Sequence, residues 1–255
     1  MSIVLTPLRG VPLIGTGDDL VAILLASLKE SGVSPDNDDV IVLAQKIISK
    51  AEGRVVDLAT ITPSARARGL AAQVQKDARL VELILQESES VVRARDGVII
   101  CRHRLGFVCA NAGIDHSNVA GEATPEGDFV ALLPKDPDKS SDRLREGLEA
   151  RTGKRIGVMI IDSHGRPWRI GTVGVCIGLS GIPAVIDERG WVDLFGYRFR
   201  STVVGVGDEL AAAASLAMGQ AAEATPAVHV RGFPYALAAG RLSHLIRPLK
   251  DDLFP

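Results

Sequence analysis

Two short segments place acids and other polar side chains directly behind an apolar run. In FVCANAGIDHSN, Asn111, Asp115, His116, Ser117 and Asn118 follow the strand-like stretch that closes at Ala110. In RIGVMIIDSHGRPWR, the apolar run ends in Asp162, Ser163 and His164, with Gly165, Arg166 and Arg169 beyond. Side chains that emerge where a strand ends sit where binding loops are usually built. A carboxylate in such a place, beside a hydroxyl and two guanidiniums, suits a hard divalent cation with phosphate oxygens around it. The plainer alternative makes Asp115 or Ser117 the cap of a short helix, and Asp162 the head of an Asx turn with solvated arginines. The oxygen-rich surroundings favour magnesium or manganese over zinc, and there is no HxxxH or HExxH pair. His116 and His164 therefore read as polar loop residues rather than ligands.

Lys46, Lys50 and Arg54 recur every four residues in AQKIISKAEGR and share a face if that region is helical. Such a face could hold a polyphosphate or simply be solvated. The segment MGQAAEATP, residues 218–226, leaves a helix through a loop of small residues whose backbone amides could approach a ligand closely, although a plain connection explains it as well. Two familiar nucleotide signatures fail. GLEARTGKR has one residue too many between its glycines, puts Arg155 where Ser or Thr belongs, and joins helix to strand, so it is not a P-loop. GTGDDL and GVGDEL lack the third glycine of a dinucleotide fingerprint, and the acids behind them would repel phosphate.

The elements that must position these residues alternate between short strands and amphipathic helices, with no repeat, low-complexity tract or hydrophilic linker. Leu20, Leu24 and Leu28 mark a helix that opens after capping residues at 16–19 and stops at Gly32. The apolar run DVIVLAQKIISK follows, then a helical region from Pro63 through Ser90. GVIICRHRLGFVCANAG reads as two strands and a tight turn, and DFVALLP as a further strand. DPDKSSDRLREGLEARTG is a helix ending at Gly153 and feeding the strand RIGVMIID. GTVGVCIGLSG and YRFRSTVVGV are β-rich, DELAAAASLAMGQ is helical, and PAVHVRG is the last strand. The mixed order predicts an α+β fold with mixed sheets rather than a doubly wound one, in a single domain over 1–255 that could comprise two interleaved lobes.

The 255 residues are 46% hydrophobic and 24% charged, enough for a sizeable core. A net charge of −2 removes the broad basic footprint of a general nucleic-acid binder, so any anionic ligand needs a local site. No apolar run is long enough to span a bilayer and the N-terminus has no signal-peptide pattern, so a cytoplasmic protein without membrane contact is expected. Cys101, Cys109 and Cys176 lie in apolar contexts and read as buried, inert thiols.

Taken together, VPLIGTGDDL, IISKAEGR, NAGIDHSNV, GKRIGVMIIDSHGRPWRIGTVGVCIG, DLFG and MGQAAEATPAVHVRG resemble the coenzyme F420-0:L-glutamate ligase (F420 gamma-glutamyl ligase) family in order and spacing, from about Pro7 to Arg231. The resemblance implies a GTP-dependent ligase that joins L-glutamate to the lactyl carboxylate of F420-0 through an acyl phosphate and extends a γ-linked tail. It implies a family-specific fold, a homodimer, and Mg²⁺ or Mn²⁺, with K⁺ a further candidate. It places the metal ligands on Asp115, Asp162, Ser163 and Gln220. Nucleotide contacts fall on Val11, Pro12, Leu13, Ile14, Gln45, Lys46, Lys50 and Asn118, and on Met218, Gly219, Gln220, Ala221, Ala222, Glu223, Ala224 and Thr225. Asp115, Asp162 and Lys50 are the expected catalytic residues, with Arg166 and Arg169 as candidates for an anionic substrate. The flavin-binding domain fused to some members is not expected here. A metal-dependent hydrolase and a non-catalytic binder of F420 precursors are the alternatives on the same scaffold.

Overall fold

The computed structural model describes residues 2–119 and 127–252. The chain runs β1 (Val4–Pro7), α1 (Leu20–Glu30), β2 (Val40–Ala44), α2 (Gln45–Ala51), β3 (Val55–Asp57), α3 (Ala65–Val74) and α4 (Ala78–Gln86). It continues through β4 (Ser88–Arg95), β5 (Val98–His103), β6 (Val108–Ala110), β7 (Phe129–Ala131), α5 (Pro137–Thr152) and β8 (Gly157–Gly165). β9 (Thr172–Ser180), β10 (Ile186–Asp187), β11 (Val203–Val204), α6 (Val206–Met218) and β12 (Ala227–Arg231) complete it. This is an α+β fold.

The largest sheet has the order β1-β12-β2-β8-β9. Only β2 and β8 are parallel; the other neighbours are antiparallel. Alternation along β2 and β8 sends side chains to two different cores, as the two-residue period of a strand requires. Ile41, Leu43, Val158 and Ile160 meet α1, α2 and α5 on one face. Val40, Val42, Met159 and Ile161 meet α6 on the other. Gly174 and Gly178 on β9 allow the helices to approach: a Cβ at Gly174 would lie 2.4 Å from Ser215 of α6, and one at Gly178 would lie 2.4 Å from Pro137 of α5. A third core packs α3 and α4 against the β4-β5-β6 sheet and the β3-β7 pair.

α1 starts as expected, with the Asp19 carboxylate accepting from Ala22 N–H, and α5 ends on left-handed Gly153. The rejected P-loop is this helix end, where Lys154 and Arg155 pair with Asp36 and Asp38. All three cysteines are buried free thiols. Among the described residues, no helix is long and apolar enough to cross a membrane.

Three segments differ from expectation. The helical region expected to reach Ser90 is two helices, and residues 88–95 form β4, where cross-strand pairing with β5 overrides the local helix preference. YRFRSTVVGV contributes only the two residues of β11 as a named strand; Arg198, Phe199 and Thr202 bond back to residues 188–192 through separate contacts rather than a continuous ladder. Asp162, Ser163 and His164 do not lie beyond a strand end; β8 continues through Gly165 in its hairpin with β9.

Candidate functional site

The β2–β8 pairing stops at Ala44 and Ile161 because β2 turns at once into α2, whose N-cap is Ala44. β8 carries on with its other edge held by β9, so Asp162 and Ser163 stand where a parallel pair parts. Such openings at the carboxyl ends of parallel strands are common ligand sites. A cavity of about 550 Å³ opens there. Every residue expected to hold metal or nucleotide lines it, namely Val11 to Ile14, Gln45, Lys46, Lys50, Asp115, Asn118, Asp162, Ser163 and the loop Met218 to Thr225, whereas the substrate candidates Arg166 and Arg169 do not.

Asp115 is fixed by its backbone, which exchanges both hydrogen bonds with Ala131 at 3.0 and 2.8 Å. Its Oδ1 accepts from the N–H and hydroxyl of Ser117, each at 2.8 Å, so Asp115 heads an Asx turn where the plainer sequence reading had a helix cap. Its Oδ2 lies 2.8 Å from Lys46 Nζ, which also donates to the Ser117 carbonyl. Burial pushes the Asp115 carboxyl up, but Lys46 and Ser117 outweigh it and hold the group below the usual range.

Asp162 Oδ2 sits 3.0 Å from His164 Nε2, two residues along the same strand face. Ser163 Oγ donates to Gln220 Oε1 at 3.0 Å. The Gln220 amide nitrogen donates to Ser215 Oγ at 3.0 Å, which turns the carbonyl oxygen toward Ser163. Ser215 and Thr172 also line the cavity, and neither carried a sequence signal, since each is a lone hydroxyl inside an apolar element.

The loop after α6 is closed by its own contacts. Thr225 Oγ1 donates to the Met218 carbonyl, Ala221 N–H to Glu223, and Asn118 Nδ2 to the Ala221 carbonyl. Gly219 takes φ 76°, and a Cβ there would collide with Glu223. Lys46 and Lys50 share a face of α2, whereas Arg54 lies past its end and pairs with Glu87. Gln45 lines the cavity, although its side chain accepts from Ser49 within the helix. Lys50 makes no side-chain hydrogen bond or ion pair among the described residues. Burial pushes its ammonium below the ordinary lysine value, and the charge of Lys46 adds to this.

Asp115, Asp162, Ser163 and Gln220 supply only oxygen atoms, a donor set that fits a hard divalent ion. No group of three or more His, Cys, Asp or Glu side chains among the described residues could hold a metal, so a hydroxyl and an amide are needed to complete this set. His116 lies 3.8 Å from Asp128, outside the cavity lining.

An α+β scaffold of this kind, with oxygen donors, a half-buried lysine and a small-residue loop around one cavity, defines a candidate site for a polyanion and its counter-ion. The chain matches the family model described as F420-0:Gamma-glutamyl ligase over residues 10–232. It is 44% identical over 257 residues to the coenzyme F420:L-glutamate ligase of Methanothermobacter thermautotrophicus, covering 100% of this chain and 99% of that protein. The protein of the same name from Methanopyrus kandleri is 48% identical over 217 residues, covering 85% and 81% of the two chains. The one from Archaeoglobus fulgidus is 42% identical over 253 residues, covering 99% and 96%. The chain belongs to the F420-0:gamma-glutamyl ligase family.

Proposed function

We propose that the protein is a GTP-dependent ligase that joins L-glutamate to the carboxylate of F420-0 and extends a γ-linked glutamate tail. The observation that carries this is the convergence of Asp115, Asp162, Ser163, Gln220, Lys50 and the 218–225 loop on one cavity in a chain of this family.

A carboxylate resists attack by an amine until one of its oxygens can leave. Phosphoryl transfer from GTP to the F420-0 carboxylate yields an acyl phosphate and GDP. The glutamate amine then attacks the acyl carbon and inorganic phosphate departs. Lys50, half-buried and without an ion pair among the described residues, meets the negative charge of the phosphates. The loop Met218 to Thr225, with Val11 to Ile14 and Asn118, holds the nucleotide. Asp115, Asp162, Ser163 and Gln220 would hold Mg²⁺ or Mn²⁺, which supplies charge neutralisation at the phosphate oxygens. Lys46, which lines the cavity beside Asp115, would add a second cation for the phosphates. F420-0 and glutamate are the substrates, and the working form is a homodimer.

The test is orthophosphate release from GTP in the presence of F420-0, glutamate and Mn²⁺, with the product weighed by mass spectrometry. Release that requires both substrates, with a product heavier by glutamate residues, is expected. Asp115→Asn and Asp162→Asn should each lower turnover by about a hundredfold or more and abolish the thermal shift produced by Mn²⁺. GTP cleavage independent of F420-0 and glutamate would sink the ligase assignment. Asn variants that match the unaltered protein would return both acids to structural roles, because Asn forms caps and Asx turns nearly as well.

A further inference from the structure

The turn between β8 and β9, residues 166–171, is part of the cavity rim, since Gly165 and Thr172 on either side of it line the cavity. It carries features that folding does not ask for. Trp168 is 91% exposed and Ile170 is fully exposed. Trp168 also takes φ 62°, a left-handed conformation that a bulky side chain adopts only at a cost. Arg166 and Arg169 are exposed, and neither guanidinium has a hydrogen bond or ion pair among the described residues. An aromatic face and two unneutralised cations thus stand together at the mouth of the site. Among the described residues, the other exposed aromatics, Trp191, Phe195 and Tyr197, do not line the cavity. Leu13 lines it and is exposed, but offers no ring.

Resting on the ligase reading above, the substrate has matching chemistry. F420-0 is a flat deazaflavin tricycle joined through a phosphodiester to the lactyl carboxylate that reacts. With the carboxylate beside Asp115 and Asp162, the rest of the molecule extends toward the rim at Gly165 and Thr172, which line the same cavity. We propose that the 166–171 turn is the docking platform for F420-0, Trp168 stacking on the deazaflavin ring and Arg166 and Arg169 facing its phosphodiester. Stacking on an exposed indole and charge pairing with guanidiniums are the two interactions that a planar anion can make at a protein surface without a closed pocket. Both act on F420-0 alone and leave the nucleotide untouched.

The experiment titrates F420-0 into the full-length protein without GTP or metal, following quenching of deazaflavin fluorescence, for the unaltered protein, Trp168→Ala, Trp168→Phe and the double variant Arg166→Ala with Arg169→Ala. Trp168→Ala should weaken binding about tenfold, as loss of one stacked ring does, and Trp168→Phe should restore most of it. In steady-state assays, KM for F420-0 should rise in Trp168→Ala and in the arginine pair, while KM for GTP and kcat stay put. Unchanged F420-0 binding in Trp168→Ala, beside clear binding by the unaltered protein, overturns the platform and leaves the ligase reading standing. Weakened binding that appears only with a changed sedimentation coefficient also overturns it, because Trp168 would then be a subunit contact. An unaltered protein that neither binds F420-0 nor turns it over overturns both.

Discussion

Lys50 and Arg54 sit four residues apart in one basic stripe, yet the structure gives them opposite work. α2 ends at Ala51, so Arg54 is carried away from the cavity; its Nε donates to the Leu133 carbonyl and its Nη2 lies 2.8 Å from Glu87. Glu87 is buried, and its other guanidinium partner, Arg104, is largely exposed. Removing one partner of a buried charge leaves that charge poorly compensated, so Arg54→Ala should cost about 3 kcal/mol of stability in urea unfolding. Its effect on nucleotide affinity should be small. Lys50→Ala should do the reverse, with stability changed by less than about 0.5 kcal/mol and GTP titration showing weakened binding. Equal stability losses in the two variants would make Lys50 a structural cation and remove it from the site.

At the scale of elements, the turn behind β6 decides where Asp115 stands. Asn111, Ala112 and Gly113 take φ values of 52°, 53° and 64° in succession. Asn and Gly tolerate that region, and the Asn111 side chain anchors the turn by accepting from Ile99 N–H. A Cβ on Gly113 would lie 2.7 Å from Leu133 Cδ1. Gly113→Ala should therefore cost about 2 kcal/mol and displace Asp115, two residues on, so the Mn²⁺-induced thermal shift should fall with it. Gly153→Ala at the end of α5 is the control. It has φ 66° with nothing within 4 Å of the new methyl, so it should lose about 1 kcal/mol and keep the metal response. Identical metal responses in both variants would show that the turn does not position Asp115.

Over the whole molecule, two features should be measurable without substrate. His103 is buried on β5, stacked on Phe107, which in turn faces His164. Burial pushes its imidazole down to about 4, against the opposing pull of Glu87. Above the unfolded value near 6.5 the ring is neutral in both states; below it, the unfolded chain takes up a proton that the folded chain refuses. Stability should thus be fully present at pH 7 and fall by about 3 kcal/mol as pH drops toward 4. His103→Gln should flatten that part of the denaturation profile, and an unchanged slope would assign it to other groups. The second feature is the arm between β10 and β11, where Leu194 and Phe195 are almost wholly exposed beside Trp191 and Tyr197. If it forms the subunit contact, Leu194→Asp with Phe195→Asp should convert a dimer into a monomer by sedimentation. A dimer that survives would place the contact elsewhere.

Residue chemistry and local periodicity made much of this protein legible before any coordinates. Caps and glycines marked α1 and α5, the failed phosphate signatures were ordinary helix ends, and the acids of NAGID and IIDSH stood out because carboxylates behind buried runs need a reason. Such features depend on neighbours a few residues away. What needed the tertiary structure depends on partners far along the chain. The switch from β2 to α2 at Ala44 coincides with the end of pairing to β8, 117 residues later at Ile161. β4 is a strand because β5 lies beside it, while YRFRSTVVGV meets residues 188–193 mostly through scattered bonds outside β10 and β11. The separation of Lys50 from Arg54, and the seating of Gln220 between Ser163 and Ser215, are likewise decided by contacts across elements. Strand pairing and side-chain convergence are non-local, so one chain segment cannot announce them alone.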